Sequence, residues 1–136
     1  MRDARGFLQR LFATAVEAAQ PERVLPGFLP PPPAGRTLVL GAGKAAAAMA
    51  KVVDSHWQQE LSGLVVTRYG QSQDCGRIEV VEASHPVPDS AGQRAARRML
   101  DLCGDLCADD LVLCLISGGG SALLSLPGGD ISLAEK

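Results

Sequence analysis

Three short stretches of this 136-residue chain carry residue types that can hold a phosphate or another anion. The first is Gly41-Ala42-Gly43-Lys44-Ala45. Its glycines let the backbone turn tightly and approach a ligand closely. The Ala-rich sequence after it predicts a helix from Lys44 to about Trp57, whose first turn presents unpaired N–H groups and a positive dipole end. A lysine there opposes the dipole by ~0.3–1 kcal/mol, a penalty that a bound anion reverses. The second stretch is Ser117-Gly118-Gly119-Gly120-Ser121. Three consecutive glycines can form a nest of convergent N–H groups, and the two hydroxyls can add bonds. A flexible linker is the plain alternative, but linkers do not usually join a buried strand to an apolar stretch such as Ala122–Leu126. The third is Ser84-His85-Pro86-Val87-Pro88-Asp89, a turn stiffened by two prolines. His85 is either a ligand to substrate or phosphate or a structural donor within the turn. Asp89 either serves the site or caps the next helix.

The spacing Gly41-x-Gly43-x-x-Ala46 also fits a loose dinucleotide-binding fingerprint. That fingerprint wants an acid at the end of the second strand to hold a ribose hydroxyl. Here the strand ends in Thr67-Arg68-Tyr69, with no acid. An NAD site is disfavoured, while Arg68 could accept the extra phosphate of NADP, so a nicotinamide-dependent reductase stays open. The Walker pattern G-x-x-x-x-G-K-[ST] is absent.

The elements that must position these residues follow from the hydrophobic pattern. Residues 3–19 read as an amphipathic helix, with Phe7, Leu11, Ala15 and Ala18 on one stripe widened by Leu8 and Phe12. Pro21 and the Pro-rich loop 26–35 stop it and read as a stiff spacer. Short apolar runs predict strands over 37–40, 63–67, 78–82 and 111–116. Ser90 and Gln93 fit a capping box that opens a helix to about Cys103. Residues 68–77 are polar and show no helical pattern. Ten extended residues reach roughly 33 Å, enough to return along a strand of about 17 Å. The third strand is therefore expected to be parallel, with antiparallel as the alternative.

Helices alternating with strands predict an α/β fold, a Rossmann-like three-layer sandwich with a mostly parallel sheet, its core over 36–126. In such a sheet the first and fourth strands are neighbours where the strand order reverses, and ligands bind at their carboxyl ends. Both glycine-rich loops follow those two strands. Two anion cradles across one crevice suit a polyphosphate better than a single carboxylate. Ser132-Leu-Ala-Glu135 repeats the capping-box pattern, so a helix is expected from about 133. A helix only one turn long is unstable alone. The reading is of a fragment, an amino-terminal α/β phosphate-binding domain over 1–136 truncated before a second domain.

Composition narrows the partners. The formal net charge is -2, without the cationic surplus that binds nucleic acid. No apolar run approaches the ~20 residues of a membrane span, and charges interrupt the start MRDARGFLQRLF, so neither a membrane segment nor a signal peptide is expected. Cys75, Cys103, Cys107 and Cys114 form no C-x-x-C pair and, with only His56 and His85, suggest no zinc site. Reduced thiols fit a cytoplasmic protein.

Four motifs in register carry a resemblance: Leu38-Val-Leu-Gly-Ala-Gly-Lys-Ala-Ala46, Gly63-Leu-Val-Val-Thr67, Ser84-His-Pro-Val-Pro-Asp89 and Ile116-Ser-Gly-Gly-Gly-Ser-Ala122. In this order the chain resembles the amino-terminal portion of the MOFRL-type glycerate 2-kinases, a family often labelled hydroxypyruvate reductase. The resemblance implies ATP and Mg²⁺ as cofactors and D-glycerate as the small-molecule substrate, phosphorylated on its 2-hydroxyl to 2-phosphoglycerate. It maps Lys44 onto the family's active-site lysine as the catalytic residue. It maps Gly41, Gly43, Ser117, Gly118, Gly119, Gly120 and Ser121 onto phosphate-binding loops, and His85 and Asp89 onto a turn that contacts substrate or orients the loop. No protein metal ligand is assigned, no base for the substrate hydroxyl is evident, and a homo-oligomer is compatible. The chain alone is expected to be inactive. An NAD(P)H-dependent hydroxypyruvate reductase and a non-catalytic sugar-phosphate binding module are the alternatives.

Overall fold

A computed structural model describes residues 3–136; Met1 and Arg2, the start of the segment weighed above as a leader, lie outside it. Strand β1 (Thr37–Gly43) is longer than its apolar run and continues through both glycines. It does so because it is an inner strand with a neighbour on each side. Strand β2 (Leu61–Arg68) pairs with it from Thr37↔Leu61 to Ala42↔Val66. Strand β4 (Leu111–Ser117) pairs with it from Thr37↔Leu111 to Gly43↔Ser117. Strand β3 (Ile78–Ala83) lies outside β2 in the same direction, so the sheet is wholly parallel with order β3-β2-β1-β4.

The parallel β3 needs a return from the top of β2, and residues 69–77 make it without a helix. Arg77 anchors the far end. Its guanidinium pairs with Asp54 at 2.8 Å and donates to the carbonyls of Gln59 and Trp57, at 2.9 and 3.0 Å, and of Asp54. The neighbouring Gly76 N–H adds a bond of 2.7 Å to the other Asp54 oxygen. This one arginine holds the segment against the carboxyl end of the helix that joins β1 to β2.

That helix is α3, the third in the chain, spanning Ala46–His56. Two helices precede it in sequence, the long α1 (Ala4–Ala18) and the single-turn α2 (Pro21–Val24), and α4 (Ser90–Leu102) joins β3 to β4. The alternation along each strand sends Val39, Val65 and Leu115 towards α3, where they meet Ala46, Ala50, Val53 and Trp57. It sends Leu64, Val66 and Ala83 towards α4, where they meet Ala95 and Met99. The helices thus cover opposite faces of the sheet.

Several expectations are corrected. Pro21 does not merely stop a helix; it opens α2 at a position where its missing N–H costs nothing. The Pro-rich region is more than a spacer, because Leu25 and Leu29 pack onto the α3 core. Asp89, not Ser90, caps α4, its side chain accepting from Gly92 N–H at 3.0 Å. Lys44 precedes α3 instead of lying in its first turn. At the carboxyl end Ser132 and Glu135 form the expected reciprocal bonds, at 2.8 and 3.3 Å through their backbone N–H groups, but only a turn follows.

Two apolar surfaces remain open. Phe7, Leu8, Leu11 and Phe12 of α1 are 51–72% exposed, so the amphipathic pattern is real but nothing among the described residues covers it. On β4, expected to be buried, Val112 and Ile116 are 37% and 55% exposed, because α4 lies over β2 and β3 and leaves that side of β4 bare.

Candidate phosphate-binding crevice

The carboxyl ends of β1 and β4 lie side by side, and the two glycine-rich loops meet there. Gly43 is where they touch. Its φ is +128°, a region L side chains rarely adopt, and a Cβ on it would lie 2.2 Å from Ser117 Oγ. That contact brings the Ser117 hydroxyl onto the backbone just after Lys44: Ala45 N–H donates to Ser117 Oγ at 2.9 Å. The Ser117 hydroxyl therefore accepts within the protein, and its own proton remains to donate to a ligand. Gly119 N–H is also engaged locally, by Ser117 O at 2.9 Å.

Together with the turn after β3, these loops enclose a cleft of about 460 Å³, lined by Lys44, Ala45, His85, Ser117, Gly118, Gly119, Ser121 and Leu123. Lys44, His85, Ser117, Gly118, Gly119 and Ser121 are thus brought together from three loops that are far apart in sequence. Gly43 sits just behind them. Gly41 and Gly120 do not line the cleft: a Cβ on Gly41 would be 2.6 Å from Leu115 O, and one on Gly120 would be 2.9 Å from Ala42 Cβ. In both places the glycine permits close packing beneath the cleft.

Asp89 is also outside the lining. One of its carboxylate oxygens caps α4 and the other accepts the Tyr69 hydroxyl at 2.8 Å. Burial pushes its carboxyl up. The N–H groups of Gly92, Ser84 and Ala91 and the Tyr69 hydroxyl outweigh burial and hold it below the usual carboxylate range. The consequence for stability has a definite sign. A depressed folded value stabilises above the unfolded value of about 3.9, and the contribution is lost as pH falls through the folded value. Asp89→Ala is expected to cost about 1 kcal/mol at pH 7 as a lost helix cap. The gap from the wild type should narrow in acid, as urea titrations at pH 7 and pH 3 would show.

Sequence reasoning missed Leu123 and Tyr69, and it placed Ala45 in the first loop without its backbone bond to Ser117. Leu123 is an apolar residue in an apolar run and carries no local signal. The sequence marks Tyr69 only as the residue that ends the second apolar run.

Parallel strands, helices on both faces and two glycine loops at the strand-order reversal define an α/β domain of the doubly wound kind. The chain belongs to the family described as "Domain of unknown function (DUF4147)", whose model matches residues 7–136. Its relatives include a provisionally named hydroxypyruvate reductase of Agrobacterium vitis, 51% identical over 98% of this chain and 31% of the relative. They also include the D-glycerate 2-kinase of Thermotoga maritima, 40% identical over 89% of this chain and 30% of the relative. Among solved structures, a Pyrococcus horikoshii protein superposes with a TM-score of 0.82 at 34% identity, covering 98% of this chain and 33% of that one. The Thermotoga maritima glycerate kinase superposes with a TM-score of 0.79 at 38% identity, covering 90% and 30%. The expected kinship with glycerate 2-kinases and the expected α/β fold are both borne out. The chain spans about a third of the length of the curated relatives it matches. Among the described residues no helix is long and apolar enough to cross a membrane.

Proposed function

We propose that this chain supplies the phosphate-binding crevice of a glycerate 2-kinase, an enzyme that moves the ATP γ-phosphoryl group to the 2-hydroxyl of D-glycerate. The observation that carries the reading is the convergence of Lys44, His85 and the Ser117–Gly119 loop on one cleft. Phosphoryl transfer demands positioning and charge neutralisation more than covalent chemistry. Lys44, exposed at the mouth, would pair with phosphate oxygens as a point charge. The Ser117 and Ser121 hydroxyls would donate to the same oxygens, and His85 would bound the cleft from the opposite loop. The relatives named glycerate 2-kinase support this chemistry over a generic anion site.

The lining fits the oxygens of a polyphosphate but offers no carboxylate for Mg²⁺. Among the described residues no group of three or more His, Cys, Asp or Glu is placed to hold a metal. Magnesium usually keeps several waters and leans on substrate phosphates, which is how it would be held in this cleft. The base for the substrate hydroxyl and further glycerate contacts would come from polypeptide corresponding to the rest of the relatives' length. The reading places the protein in the cytoplasm.

A nicotinamide-dependent reductase is the second reading. The strand–glycine–helix geometry at Gly41–Ala46 and the relatives named hydroxypyruvate reductase favour it. The exposed Arg68 at the end of β2, where an acid would hold a ribose, tells against NAD. Calorimetric titration separates the two readings. Mg-ATP is expected to bind and NADPH not to, with Lys44→Ala weakening Mg-ATP about tenfold or more, the scale of one lost charge-assisted contact. Binding of NADPH alone would overturn the kinase reading.

A further inference from the structure

Tyr69 stands one residue beyond β2, with its side chain 57% exposed, and belongs to none of the phosphate motifs. Both of its polar ends are nevertheless committed to one turn. Its backbone N–H donates to Ala83 O at 3.3 Å. Its hydroxyl donates to Asp89 Oδ2 at 2.8 Å. Ala83 and Asp89 are the two feet of the segment Ser84–Pro88, which carries His85. The near foot ends β3, and the far foot is fixed to α4 through Gly92 N–H on the other Asp89 oxygen. The loop carrying Tyr69 is itself held down: Glu82 Oε1 accepts from the N–H groups of Gln71 and Ser72, both at 3.1 Å.

We propose that Tyr69 is a positioning residue for His85, spanning Ala83 and Asp89 so that the imidazole is held on the wall of the cleft opposite the Ser117 loop. The claim about ligand binding rests on the phosphate reading above; the claim about where His85 stands does not. A five-residue loop with both feet joined through one residue, by its backbone N–H at one foot and its hydroxyl at the other, has few arrangements left. Removal of the hydroxyl frees the far foot from β2 while α4 keeps its cap. Tyr69 then touches no ligand and acts only through Asp89 and the turn.

The test uses ¹⁵N-labelled imidazoles in Tyr69→Phe, Asp89→Ser and the double variant; serine can still cap α4 but has no second oxygen for the Tyr69 hydroxyl. Phenylalanine keeps the ring and the backbone bond. His56, at the end of α3 with Nδ1 against Val52 O at 2.9 Å, is the internal reference. Without ligand, Tyr69→Phe is expected to shift the His85 signals and leave those of His56 in place. The double variant should match Asp89→Ser alone, because partners in one bond are not additive. With inorganic tripolyphosphate, wild-type His85 should respond, and Tyr69→Phe should raise the half-saturation concentration about three- to tenfold, the scale of one hydrogen bond. Unmoved His85 signals in Tyr69→Phe overturn the proposal, as do additive effects in the double variant. Equal disturbance of His56 and His85 overturns it too, since Tyr69 would then be a general structural contact. If tripolyphosphate leaves wild-type His85 unchanged while Tyr69→Phe still moves it, the phosphate reading fails and the positioning role stands.

Discussion

Gly43→Ala should destabilise the domain by roughly 2–5 kcal/mol and abolish anion binding in the cleft, because one methyl group meets two obstacles at once. The first is conformational. Gly43 has φ of +128°, where an L residue is strained. The second is steric. The added Cβ would stand 2.2 Å from Ser117 Oγ, 2.4 Å from Ser117 O and 3.1 Å from Ser117 N. A side-chain rotation can remove Oγ, but the carbonyl belongs to the backbone at the end of β4 and already accepts from Gly119 N–H. Relief requires the ends of β1 and β4 to separate. That separation breaks the Ala45–Ser117 bond and carries Lys44 away from the Gly118 loop. Gly70→Ala is the clash-free comparison. It has φ of +76° and no atom within 4 Å of a built Cβ, so it sets a lower bound on the positive-φ cost, about 1–2 kcal/mol. Urea midpoints for both variants, with tripolyphosphate titrations of each at a temperature where it is folded, separate the two contributions. A Gly43→Ala protein as stable as Gly70→Ala would mean that β4 yields easily and that the loops are not rigidly joined.

The legible part of this fold was the part governed by period and order. Apolar runs such as Leu38–Leu40 and Leu111–Ile116 have few uses other than a strand in a parallel sheet, and helices between them fix the crossovers. From that order alone Lys44 and Ser117 had to be neighbours, and the β1–β4 pairing makes them so. What the sequence hid was decided by tertiary geometry. Asp89 and Ser90 are adjacent residues of equal capping ability. The angle at which the chain leaves the His85 turn, together with the waiting Tyr69 hydroxyl, selects Asp89. Arg77 is one arginine in a polar stretch, and nothing local marks it as the residue that replaces a crossover helix. The helical stripe of α1 was readable from its spacing, but spacing says nothing about what covers it. The sequence offers Ser117 as a ligand hydroxyl, and the structure gives it a prior engagement with Ala45. Local chemistry shows what a side chain can do, whereas its partners depend on which loops the sheet brings together.

The anchoring of the Ser117 loop leads to the second large effect, in a residue that has no chemistry of its own. Leu123 is 1% exposed and packs with Leu64, Val66, Ala83, Ala95 and Met99 beneath α4. It is the point where the loop after β4 enters the core. The turn that delivers it is closed by Leu123 N–H and Leu124 N–H on Gly120 O, at 2.9 and 2.7 Å. Ser125, fully buried, donates to Ser121 O at 2.6 Å. Gly92 of α4 lies against the same turn, since a Cβ there would sit 2.6 Å from Leu123 O. The glycines at 118–120 are free to take many conformations, and no side chain of theirs selects one. Leu123 makes the selection from three residues away. Leu123→Ala is expected to cost roughly 2–5 kcal/mol, the range for a buried leucine truncated to alanine. Leu123→Met, which conserves volume, should cost less than about 1.5 kcal/mol. If burial of this side chain orders the loop, tripolyphosphate affinity should fall in the alanine variant, even under conditions where it is fully folded, and hold in the methionine variant. Denaturant titration gives the first quantity and calorimetry the second. A Leu123→Ala protein that loses stability but keeps its affinity would show that the loop takes its shape from Ser117 and Gly43 alone. Loss of both in parallel would make the hydrophobic core under α4 a determinant of the phosphate cleft.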